Sequence, residues 1–238
     1  MLKRLIKNLF PDELLGMIDY YRHPEWRSSW GDGGPFNSQQ IRKQIFLQIC
    51  RVVRPLSVVE TGTHVGMTTE FIAKTLPVPV FTVEYNRRIY GFAKMRLRRY
   101  RNVNLHKGDS RTFLRNLMRS PLLPKGPLFI YLDAHWGDNL PLAEELQLIF
   151  GYCDQAVVMV DDFQVPRDQG YGFDDYGEGK SLTSHYISPV VARYGLVQFY
   201  PSVPSEEETG KKRGCVVIVH EGEAATLLAQ INLLRRAG

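Results

Sequence analysis

The chain has 238 residues, 44% of them hydrophobic, which is enough for a buried core and suits one α/β domain with an appendage better than two domains. Its formal net charge of +5 permits an anionic partner without requiring one, and Cys50, Cys153 and Cys215 stand too far apart for a disulfide framework or a paired-cysteine zinc site. A reducing compartment, the cytoplasm, is expected, because the basic opening MLKRLIKNLF is too short in its apolar part for a secretion signal or a membrane span.

In chain order, residues 2–21 read as helical with a break at Pro11, whose fixed φ suits the first turn of a new helix at PDELL. This segment is expected to cap the domain or to pair with a second copy of the chain. Residues 22–38 are rich in turn formers and aromatics, and Asn37 or Ser38 is placed to cap a helix over 39–53. The division expected is an N-terminal cap, 1–38, followed by the main domain, 39–238. Within that domain, strand signals at 57–61, 79–84, 102–106, 127–133 and 156–162 alternate with helical runs at 66–75, 87–100, 111–118 and 140–152. Such alternation predicts a doubly wound, mostly parallel sheet. A helix over 182–194 precedes strands at 196–200 and 214–220, which the polar linker PSVPSEEETGKKR should join as an antiparallel hairpin. Residues 224–236 read as a closing helix, leaving seven strands.

The stretch SVVETGTHVGMTT, from Ser57, reads as strand, tight turn and helix, with Gly62 and Gly66 allowing a sharp turn and close approach to a ligand. It does not match the G-x-G-x-x-G dinucleotide fingerprint. Glu60, at the mouth of the strand, would repel a pyrophosphate and suits a ligand carrying an ammonium and a sulfonium. His64, inside the turn, is read as packing at a helix terminus.

In an open α/β sheet the ligand sits beyond the carboxyl ends of the strands, and here each end carries an acid. Glu60 ends the first strand and Glu84 the second, about where a carboxylate grips ribose hydroxyls. Asp109 follows the third strand, where it can meet an adenine amino group or cap the helix that begins there. Asp133 ends the fourth strand and Asp161 with Asp162 the fifth. Those three carboxylates form a hard-oxygen set suited to magnesium or calcium, unless the last two only cap and turn the chain. His135 is the best candidate for a general base. The long aromatic loop 164–180 reads as a lid in which Tyr171, Phe173 and Tyr176 offer ring faces to a sugar and Lys180 a polar contact. The run KMRLRRYR, from Lys94, is either a nucleic-acid contact or a solvated helix face, the second being preferred.

The segments ETGTHVG, FTVEYN, KGDS, YLDAHW and VDDF, in this order, resemble the class I S-adenosylmethionine-dependent methyltransferases over residues 39–220. LDAHW and VDDF resemble in particular the metal-dependent sugar and small-molecule O-methyltransferases of the macrocin type. The resemblance implies a Rossmann-like sheet whose last strand is antiparallel. It implies that Glu60, Thr61, Gly62, Thr63 and Gly66 hold the methionine end of the cofactor, Glu84 the ribose, and Asp109 with Ser110 the adenine, with Asp133 also beside the cofactor. It further implies a divalent ion, Mg2+, on Asp133, Asp161 and Asp162. Relatives place the base three residues after that first aspartate, where this chain has Trp136, so His135 is the base, or orients substrate, or stacks under the cofactor with Trp136, which is itself a candidate substrate contact. The expected activity is metal-assisted methylation of a hydroxyl on a sugar or another small polar metabolite. Nucleic-acid methylation and a non-catalytic cofactor-binding module are the competing readings.

Overall fold

The computed structural model describes residues 11–28, 33–134 and 140–238. Its centre is a set of short, fully buried strands: β1 (Ser57–Thr61), β4 (Leu128–Leu132) and β5 (Ala156–Asp161) are buried at every position, as is β2 (Val80–Glu84). A strand buried on both faces needs helices on both sides, which is the parallel doubly wound arrangement. β3 (Val103–Lys107) forms the partly exposed edge. Between these strands run α4 (Met67–Thr75), α5 (Arg87–Leu97), α6 (Ser110–Met118) and α7 (Leu142–Phe150).

The strand order is β3-β2-β1-β4-β5, continued by β7 (Cys215–His220), β6 (Leu196–Pro201) and β8 (Leu234–Arg236). β1 pairs in parallel with β2 on one side and β4 on the other, so the winding reverses between β1 and β4 and opens a crevice at their carboxyl ends. β7 is antiparallel to both β5 and β6, as the hairpin predicts.

Among the described residues the sheet has eight strands and not seven. The helix expected over 224–236 is only α9 (Glu223–Leu228); the chain then turns, and β8 pairs antiparallel with the free edge of β6. Ser202 fastens the turn, its N–H donating to Leu233 O at 2.9 Å and its hydroxyl to Asn232 O at 2.6 Å. Burial of Ile231 and Leu234, with pairing of an otherwise open edge, outweighs the helical propensity of this segment.

Successive residues of β1 feed opposite cores. Val58 packs with Ile45, Phe46 and Ile49 of α3 (Gln40–Val53), whereas Val59 packs toward α6, α7 and α8 (Ser184–Tyr194). Neither Asn37 nor Ser38 caps α3; the Glu208 carboxylate, from the β6–β7 connection, accepts from the N–H groups of Ile41 and Arg42 at 3.0 Å each. A tertiary cap of this kind leaves no trace in the local sequence.

In the N-terminal segment, Pro11 precedes α1 (Asp12–Arg22), followed by the single turn α2 (Glu25–Ser28). α1 lies along α5 of the same chain, so close that a Cβ on Gly16 would sit 1.8 Å from Arg88 O and one on Gly91 2.0 Å from Glu13 O. The basic run beginning at Lys94 faces internal partners: Lys94 pairs with Glu13 (3.1 Å), Arg96 and Arg99 with Glu70 (2.8 and 2.6 Å), and Arg98 meets the Tyr21 hydroxyl (2.7 Å). Lys94 and Arg98, with Arg96 donating to Trp26 O and Arg27 O, hold the N-terminal segment on the domain. The part of the expected opening helix over 2–10 lies outside the described residues. All three cysteines are free thiols, and no helix among the described residues is long and apolar enough to cross a membrane.

Candidate cofactor cleft

The turn after β1 is shaped by backbone that only glycine adopts cheaply. Gly62 has φ +82°, and a Cβ there would lie 2.2 Å from Asp133 O; Gly66, at φ +80°, begins α4. The N–H groups of Gly62 and Thr63 both donate to Val83 O, at 3.1 and 3.0 Å, which lashes the turn to the end of β2.

Beyond the turn opens a cleft of about 760 Å³. One half is lined by Gly62, Thr63, Glu84, Tyr85, Asp109 and Ser110, and the other by Asn37, Asp133, Asp161, Asp162 and Lys211. Glu84 is held rigidly: Oε2 accepts from His64 N–H at 2.8 Å and Oε1 from Asn86 N–H at 2.7 Å. Burial raises its pKa, and the backbone donors oppose that rise. Each oxygen retains acceptor capacity for a ligand hydroxyl.

Glu60 is placed differently from the expectation. It is 1% exposed and does not line the cleft; Thr82 donates to it at 2.7 Å, and Thr69 donates as well. Burial pushes its carboxyl up to about 7 against those hydroxyl donors. Thr82 in turn bonds the Thr63 hydroxyl at 2.6 Å, so Glu60 supports the cradle from behind. Thr61 and Gly66 likewise stand outside the lining. Asp109 lines the cleft, but its carboxylate is already engaged: it caps α6 through the N–H groups of Arg111 and Thr112 and pairs with the Arg111 guanidinium at 2.7 Å. Capping is its observed role.

Behind Ser110 and Thr61 lies Glu145 of α7, fully buried, with neither carboxylate oxygen hydrogen-bonded among the described residues. Burial pushes it up to about 7, although the Ser110 and Thr61 hydroxyls lie near enough to restrain the rise. A carboxyl raised in the folded state stabilises fully below its unfolded value of 4.5, and that contribution fades as pH climbs through about 7. Glu145→Gln should therefore match the wild type near pH 5 and exceed it near pH 8, by about 1–3 kcal/mol. Thermal melts at the two pH values check this; a difference independent of pH would contradict it.

The acids at the ends of β4 and β5 do not form the expected metal set. Among the described residues no group of histidine, cysteine or carboxylate side chains is arranged to hold a metal ion. Asp161, fully buried, is ion-paired to the equally buried Arg42 of α3 and accepts from the Tyr131 hydroxyl. Burial, the largest single influence, works against the Arg42 charge, and Asp161 together with Cys215 and Tyr131 outweighs it. Asp162 pairs with Arg213 at 2.6 Å; burial and the neighbouring Asp161 nonetheless push it up to about 7. Asp133 has no side-chain hydrogen bond among the described residues, and its carboxyl is raised well above the usual range by burial and by the charges of Asp161, Asp162 and Glu60. A divalent ion on this set would have to displace two arginines, so the residues present do not fit one.

His135 and Trp136, the expected base and its neighbour, lie outside the described residues. The 164–180 segment departs from the lid expectation. Tyr171 is 2% exposed, packs in the core and donates to Val203 O at 3.1 Å. Phe173, Tyr176 and Lys180 are part-buried, and none of these four residues lines the cleft. The base of the segment is anchored, Asp174 N–H donating to Asp162 O at 2.9 Å and Gly172 N–H to Lys212 O at 2.9 Å.

Sequence reasoning missed Arg42, Arg213, Asn37, Tyr85 and Lys211. Arg42 did leave a signal: with Ile45, Phe46 and Ile49 it lies on the apolar stripe of α3, and a charge at a core position needs a buried partner. The others come from loops, where no periodicity marks them.

In sequence the chain matches no family model and no curated protein. In structure it is similar to an O-methyltransferase of Bacillus cereus in complex with S-adenosylhomocysteine: 16% identity, TM-score 0.58, covering 92% of this chain and 96% of that one. It is also similar to TomG, an O-methyltransferase of Streptomyces achromogenes involved in tomaymycin synthesis and solved with S-adenosylmethionine: 18% identity, TM-score 0.51, covering 76% and 80%. With the strand order and the antiparallel β7, these likenesses establish the Rossmann-like fold of the class I methyltransferases.

Proposed function

We propose that this chain is an S-adenosylmethionine-dependent methyltransferase acting on an oxygen of a small polar acceptor, a sugar or a comparable metabolite. The observation that carries the reading is Glu84, a carboxylate fixed by two backbone N–H groups at the end of β2, at the mouth of a cleft on the β1/β4 switch point. It stands where a nucleoside's ribose hydroxyls would need an acceptor. Tyr85 and Ser110 would flank the adenine, and Gly62 and Thr63 would meet the methionine portion. S-adenosylmethionine supplies, when bound, a methyl group activated by a positively charged sulfur.

The structures with S-adenosylmethionine and S-adenosylhomocysteine support that choice of ligand, and both relatives are O-methyltransferases. A cleft of about 760 Å³ that must take cofactor and acceptor together favours a small acceptor over a polymer. Lys94, Arg96, Arg98 and Arg99 of the basic run have partners within the chain, which supports a solvated helix face over a nucleic-acid contact.

Within the cleft, Asp133 is the proton acceptor proposed for the acceptor hydroxyl. Burial and the neighbouring carboxylates raise its pKa, and a cationic ligand beside it would favour the ionised form. Asn37 and Lys211, which line the same half of the cleft, orient the acceptor.

Isotope transfer from methyl-labelled S-adenosylmethionine to a panel of hydroxylated metabolites, amines and RNA tests the reading. Label on a hydroxylated compound is expected, with Asp133→Asn slowing transfer by about 10²-fold. Label confined to amines or to RNA would contradict it.

A further inference from the structure

An ionised carboxylate offers about four acceptor positions, and at Asp161 the chain itself fills them. Oδ1 takes the Arg42 guanidinium and Asp162 N–H (2.8 Å); Oδ2 takes the Tyr131 hydroxyl and the Asn37 amide (3.1 Å). Arg42 is itself 1% exposed and spends its other terminal nitrogen on Arg213 O. A cation entering here would strand a buried guanidinium, a strongly unfavourable exchange. Arg213 acts likewise on the next residue, donating to Asp162 at 2.6 Å and reaching Asp174 of the 164–180 segment with a second nitrogen. Gln39 fixes Arg213 from behind, accepting its N–H at 3.0 Å and donating to its carbonyl at 2.9 Å.

We infer that Arg42 and Arg213 supply the positive charge this acid cluster requires, so that the cleft works without a divalent cation on Asp161 and Asp162. The inference deepens the proposed function and rests on it for what the cleft is used for. Its consequence is a division of labour. The two guanidinium groups are turned onto aspartates, so they neutralise and position those residues and leave the acceptor oxygen to Asp133. Arg213 also ties the 164–180 segment to the end of β5, which makes it a positioning residue for that wall.

The test uses the whole chain stripped with EDTA. Adding Mg2+, Mn2+ or Ca2+ should move the Tm by less than about 1 °C, since an ion bound to the folded state would raise it. S-adenosylhomocysteine affinity should agree within about twofold with and without chelator. Arg213→Gln leaves Asp162 and Asp174 facing the space the guanidinium held, and that variant should gain a Tm rise with Mn2+ that Asp162→Asn removes. A wild-type Tm rise abolished by Asp161→Asn or Asp162→Asn would overturn the inference. An Arg213→Gln protein as indifferent to the ions as the wild type would overturn the part assigned to Arg213. If S-adenosylhomocysteine binds under no condition, the cofactor reading falls, and the Tm measurements still decide the question of the metal.

Discussion

Replacing Arg42 with methionine is expected to cost about 3–5 kcal/mol of stability, the usual consequence of leaving one member of a buried ion pair alone. Methionine fills much of the volume of the arginine stem, so the loss reports charge and hydrogen bonding more than a cavity. What remains at Asp161 is a fully buried carboxylate with the Tyr131 hydroxyl, the Asn37 amide and one backbone N–H. Adding Asp161→Asn to Arg42→Met should restore at least half of the loss at neutral pH. Urea unfolding of the two variants measures both effects; a loss below about 1 kcal/mol for the single change would show that the pair contributes little.

Glu84→Ala should weaken binding of S-adenosylhomocysteine by about 1–3 kcal/mol, the range for losing hydrogen bonds to a charged acceptor. Glu84→Gln should lose nearly as much, for a geometric reason. Both carboxylate oxygens accept backbone N–H groups, from His64 and Asn86, and an amide offers only one accepting oxygen. Its NH2 would face a donor. Titration calorimetry on the variants measures the loss; an unchanged affinity in Glu84→Ala would move the ribose elsewhere in the cleft.

The parallel half of the sheet was legible because β1, β4 and β5 are buried on both faces and carry short apolar runs that stop at or beside an acid. The acids at the strand ends marked the cleft, since Glu84 at the end of β2, Asp109 and Ser110 after β3, and Asp133 after β4 all line it. What the acids do there was not legible. Whether a carboxylate meets a ligand, a cap or an arginine depends on partners remote in sequence: Arg42 and Asn37 come to Asp161 from 119 and 124 residues away. Glu60 shows the same limit one layer deeper, where its hydroxyl partners turn a strand-end acid into a support for the turn. Tyr171 failed as a ligand-facing ring because aromatic residues in a long loop serve equally well to pin that loop to the core. β8 failed because its helical composition yields to an open strand edge.

The claim that the cleft at the β1/β4 switch point takes S-adenosylmethionine is tested most directly by calorimetric titration of the wild-type chain with S-adenosylhomocysteine in the presence of EDTA. The account predicts a single site in the micromolar range, weakened in Glu84→Ala. No heat with S-adenosylhomocysteine, from a folded protein that instead titrates with a nicotinamide dinucleotide, would contradict it.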